Sequence, residues 1–178
     1  MKQKKDNKVF VPLTHEDVDT KNSLLNTARE LASKEGIENV ISSTMIYAGM
    51  TEYLAQHLLS NLRYFAYDTT HANSGAIMYI DQRNKRQRKG LGETIENLKD
   101  YEFPDKKKVL NLLIDFNRSR THFFHEFVAI NDSNVSEYQD DIQTIAKCTE
   151  ELVNLLNVIY AGMGRIMIPQ PIQDDKNK

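Results

Sequence analysis

Apolar residues recur at alternating steps of four and three along residues 38–66. The series is Ile41, Met45, Ala48, Ala55, Leu59, Leu62 and Ala66, with Glu52 filling the one remaining step. A mean spacing of 3.5 keeps one face of an α-helix turned toward a neighbour, so the pattern specifies a helix packed in a bundle. The same spacing returns twice. Val109, Leu113, Phe116, Phe123 and Phe127 form a seam that Arg120 interrupts, and Tyr138, Ile142, Ile145, Thr149, Leu152, Leu156 and Ile159 form another. Only 7 Gly and 4 Pro punctuate the 178 residues. Sparse turn chemistry of this kind favours long helices over many short strands.

The expected fold is therefore all-α: an up-and-down bundle of four long helices, a short helix and one irregular insertion. Thr14 and Asp17 resemble a helix start, and that first helix, with Val18, Leu25, Ala28 and Ala32 on its stripe, stops at Gly36. The second spans about 38–66. Residues 68–92 form the insertion: Asp68 to Gly75 is rich in turn formers, and Ala76 to Ile80 suits a short extended segment. A short amphipathic helix covers about 93–100. Pro104 and Asp105 open the third long helix, about 105–128, and the last runs from about 134–136 to 161. A single domain over 14–165 is expected between flexible tails at 1–13 and 166–178.

Composition narrows the function. With 23 basic and 25 acidic residues the net charge is −2, which argues against a surface that binds nucleic acid everywhere. The basic run Arg83, Lys85, Arg86, Arg88 and Lys89 leaves room for a local RNA-binding patch or, equally, a solvated loop. The single cysteine, Cys148, excludes an intrachain disulfide and fits a cytoplasmic protein. It reads as a buried structural thiol. No stretch of 18 apolar residues offers a membrane span, and no phosphate-binding glycine loop, nucleophile elbow or paired-cysteine motif is present. No cofactor is implied.

Two charges interrupt apolar seams, Glu52 on the second helix and Arg120 on the third long one. Each is costly without a partner, so the two are expected to face each other within one protomer. Around Arg120 lies the polar stretch Asn117–Glu126. At 100° per residue, Arg118, His122 and His125 fall within about 60° of one another. Arginine can hold a phosphate and histidine can move protons near neutrality. Neither a carboxylate nor a cysteine stands at ligand spacing with the histidines, so no metal site is expected.

Arg120-Thr121-His122-Phe123-Phe124-His125 resembles the R-x4-6-H motif of HEPN-domain proteins, late in the third long helix of a bundle. Leu91-Gly92-Glu93-Thr94-Ile95 is also similar to segments preceding that helix in the family. The likeness covers roughly residues 15–165, but its specific part is six residues long. It implies metal-independent RNA cleavage by a homodimer whose motif helices meet at a cleft. It also implies a toxin or defence role with an antitoxin partner in many relatives, and loss of catalysis in some. Thr121 stands where the family most often has Asn, His or Asp. Arg118 with His125 satisfies the looser spacing, so both arginines are candidates. The alternative is a non-catalytic helical module that binds a partner protein, RNA or nucleotide.

Overall fold

A computed structural model describes residues 15–72 and 90–167, with the side chains of 19–63 and 90–162. Among the described residues five α-helices follow in order: α1 (His15–Ala32), α2 (Ile37–Ala72), α3 (Leu91–Leu98), α4 (Lys106–Glu126) and α5 (Gln139–Met167). Short 3-10 turns at Phe127–Ala129 and Val135–Tyr138 bridge α4 to α5. Among the described residues there is no strand.

α1 ends at Ala32, and Gly36 sits in the turn that leads directly into α2, where its carbonyl accepts from Asn39 and Val40. Its φ of 106° is left-handed, and a Cβ there would approach the Glu38 carboxylate to 2.9 Å. Asp105 sits at the start of α4 with φ 56°, and its side chain makes no capping bond. Two boundaries differ from expectation. α2 runs through Asp68–Ala72, because Asp, Thr and His disfavour a helix only mildly and neither Gly nor Pro intervenes before Gly75. α5 passes through Gly162 and Gly164 to Met167, since a helical glycine costs only about 1 kcal/mol and Pro169 lies beyond. The extended segment expected at 76–80 and the basic run Arg83–Lys89 lie outside the described residues.

Paired positions give the direction of each helix. Ser43 Oγ donates to the Ala28 carbonyl, while Lys21 lies over the Tyr53 ring, so α1 and α2 are antiparallel. Tyr47 reaches Glu150 and His57 reaches Tyr160, so α2 and α5 run parallel. His122 pairs with Asp141, and Phe116 lies by Cys148, so α4 and α5 are antiparallel. Up, down, up, down is the result, with α3 laid against α2 and α4.

The core joins Leu58 and Leu62 of α2, Leu91 and Leu98 of α3, Leu113, Phe116 and Phe123 of α4, and Ile145, Leu152 and Leu156 of α5. Inside it the Thr51 and Thr149 hydroxyls share a hydrogen bond of 2.7 Å, and Thr149 also donates to the Ile145 carbonyl. Burial of those hydroxyls is tolerable because both are satisfied.

The α5 seam is buried almost as read. On α2 the seam residues Ala48, Ala55, Leu59 and Leu62 are buried as read, and Tyr47, Met50, Leu54 and Leu58 widen the stripe, whereas Met45 is 52% exposed. On α4 the buried position between Phe116 and Phe123 is Ser119, not Arg120. Steps of three and four link Ser119 to Phe116 and Phe123 just as they link Arg120, and a small hydroxyl costs less to bury than a guanidinium.

Candidate functional site

The candidate site is the last two turns of α4. Its inner face is fixed by Phe116, Ser119 and Phe123, all buried. Packing of those three decides where every polar neighbour points.

Arg120 emerges at the rim toward α2. Its Nη2 lies 2.6 Å from Glu52 Oε1, with the two side chains 31% and 34% exposed. The expected pairing of the two interrupting charges is therefore present, at the edge of the bundle rather than within it.

Arg118, His122 and His125 lie on the outward side of α4 and are exposed. Spacings of i,i+4 and i,i+3 place their Cβ atoms roughly 5–6 Å from the next in the set. Arg118 has only a loose contact with Asp115, 3.6 Å between charged atoms, and both side chains are well solvated. Thr121 turns its hydroxyl back to donate to the Asn117 carbonyl at 2.7 Å, a bond local to the helix. Arg120 and His125, five residues apart, are about 140° apart around the helix. The helix thus groups His125 with Arg118 rather than with Arg120.

His122 is held from outside its own helix. Its Nδ1 lies 2.5 Å from Asp141 Oδ2 in the first turn of α5. The Tyr138 ring stands 5.8 Å away, and Tyr138 is in turn edge-on to Phe123. The hydrogen bond to Asp141, then that carboxylate's charge and, more weakly, the charge of Glu126 raise the His122 pKa above its usual 6.5. A helix N-terminus also favours an anion such as Asp141. Among the described residues, Nε2 of His122 has no hydrogen-bond partner.

Sequence reasoning missed Asp141. It lies 19 positions from His122 on another helix, and only its place in an acidic first turn gave any signal. Cys148 is 6% exposed, and burial, aided by Asp115 and Glu151, pushes its thiol up to about 11. A thiol in that state is a poor nucleophile at neutral pH. The described residues hold no cluster of three metal-ligating side chains, and no helix among them is long and apolar enough to cross a membrane. The five basic residues between Arg83 and Lys89 fall outside the described part of the chain. Comparison of the chain with protein-family models, curated proteins and solved structures finds no match.

Proposed function

We propose that this protein is a metal-independent endoribonuclease of the HEPN kind, acting on single-stranded RNA. The observation that carries the reading is one exposed face of α4 bearing Arg118, His122 and His125, with one imidazole already hydrogen-bonded to a carboxylate. The resemblance around Arg120–His125 adds to it.

Cleavage needs a base for the ribose 2′-hydroxyl, positive charge for the pentacoordinate phosphorus, and an acid for the departing 5′-oxygen. The face offers two imidazoles and a guanidinium free of a tight ion pair. Arg118 is the phosphate ligand in this reading, because Arg120 is engaged by Glu52. A homodimer pairing two α4 faces would double each group. The Arg83–Lys89 run would guide the RNA backbone by charge. A toxin or defence effector held by an antitoxin in the cytoplasm is the biological setting that the resemblance suggests.

A second reading, an RNA-binding module without catalysis, is favoured by one observation: the arginine of the tighter motif is tied up in the Glu52 ion pair.

The test is incubation with end-labelled RNA in EDTA. Expected products carry a 2′,3′-cyclic phosphate and a 5′-hydroxyl. His125→Ala is expected to lower the rate by about a hundredfold or more with the bundle intact, and Arg118→Ala to lower it more than Arg120→Ala. Activity that requires a divalent ion, or full activity in His125→Ala, overturns the proposal. RNA binding by the wild type without any cleavage moves the conclusion to the second reading.

A further inference from the structure

We propose that Asp141 is the positioning residue for His122, fixing its tautomer so that Nε2 is the base for the ribose 2′-hydroxyl of RNA. The inference rests on the ribonuclease reading above and deepens it. His122 becomes the base, and His125, half the motif by resemblance, becomes the acid.

The argument is geometric. Asp141 Oδ2 lies 2.5 Å from His122 Nδ1, and an ionised carboxylate can only accept. The Nδ1 proton therefore stays in place in both charge states of the ring. In the neutral ring the lone pair must then sit on Nε2, the nitrogen left without a partner among the described residues. Asp141 is anchored in the first turn of α5, and its side chain is 19% exposed. The Tyr138 ring backs the imidazole at 5.8 Å and is itself wedged on the buried Phe123. His125 is exposed and has no hydrogen-bond partner among the described residues, so nothing there fixes its tautomer.

The step balances within the protein and RNA. His122 Nε2 takes the 2′-hydroxyl proton as the O2′–P bond forms. The His125 imidazolium gives a proton to O5′ as the P–O5′ bond breaks. Exchange with water resets both rings, and the products are a 2′,3′-cyclic phosphate and a 5′-hydroxyl. The charged and titratable groups facing His122 are Asp141 of α5, Glu126, Arg118 and His125 of α4, and Tyr138 of the preceding turn. The two carboxylates act to raise the His122 pKa. The base form is thus gained on the alkaline side of 6.5, and the acid limb of the rate profile should lie there.

The experiment uses the full chain, end-labelled single-stranded RNA and EDTA. It compares wild type, Asp141→Asn and Asp141→Glu over a pH series, beside an NMR titration of the His122 ring nitrogens. Asp141→Asn is expected to lower kcat about tenfold to a hundredfold at little change in KM, and to move the acid limb down toward pH 6.5. Asp141→Glu is expected to restore part of kcat. In the wild type, His122 is expected to be protonated at Nδ1 when neutral and to titrate at the acid-limb midpoint. The titration holds as a test even if Asp141→Asn folds poorly. Cleavage by the wild type with an unmoved limb and full kcat in Asp141→Asn overturns the role of Asp141 and leaves the ribonuclease reading standing. So does a His122 titration that misses the acid limb. A wild type that cleaves no RNA overturns both.

Discussion

Replacing Glu52 by Gln keeps the shape of the side chain and removes its charge from Arg120. Glu52 Oε1 and Arg120 Nη2 are 2.6 Å apart. Two unit charges at that distance attract by about 1.6 kcal/mol in water and about 6 kcal/mol at the effective dielectric of a protein rim. Desolvating both ions and ordering two long side chains offsets most of this. Both side chains are about a third exposed, so water still reaches them, and the penalty of several kcal/mol for orphaning a buried charge does not apply. We expect a coupling of about 1 kcal/mol from a double-mutant cycle of Glu52→Gln and Arg120→Gln. For a chain of this size that equals a melting shift of roughly 2–4 °C. Denaturant unfolding at low salt is the assay, repeated near 1 M salt, where the Debye length falls to about 3 Å and the coupling should drop by about half. A coupling below about 0.3 kcal/mol would show that the contact contributes nothing, and one above about 3 kcal/mol would show a pair as costly to break as a buried one. The high value refutes the placement of the pair at a wet rim, and the low one refutes its contribution to stability. Arg120→Gln is also expected to cleave RNA at a rate close to wild type, because this arginine is spent on structure.

The remaining predictions concern packing and titration. Phe123→Ala removes a fully buried ring beneath the candidate site and should cost about 3–5 kcal/mol in chemical denaturation, with loss of the Tyr138 support. Thr149→Val leaves the buried Thr51 hydroxyl without its partner and should cost about 1–2 kcal/mol, while the double change Thr51→Val with Thr149→Val should cost less than the sum of the two singles. The His122 pKa is raised in the folded protein, so its contribution is fully present below pH 6.5 and is lost as pH rises through the raised value. The stability gap between wild type and His122→Gln should therefore shrink as pH rises above 6.5. Cys148 should resist alkylation at about pH 8 in the native protein and react at once in denaturant, since its thiol is buried and pushed up to about 11.

Helix number, order and type were legible because one physical rule governs them. A helix that must bury one face repeats its apolar residues every three to four positions, and the seams of α2, α4 and α5 do so without interruption by proline. Gly36 likewise marked its turn, because a left-handed backbone suits glycine best. The sequence also announced that Glu52 and Arg120 needed each other, from the cost of isolated charge. It did not set their depth. Whether Arg120 or Ser119 faces the core depends on a rotation of tens of degrees, which is fixed by how Phe116 and Phe123 pack against α5. The role of Asp141 lay beyond sequence reading. The motif residues share one helix, so helical geometry alone could place them. The carboxylate that holds His122 comes from the antiparallel neighbour, and only the register of α4 against α5 brings the two within a hydrogen bond.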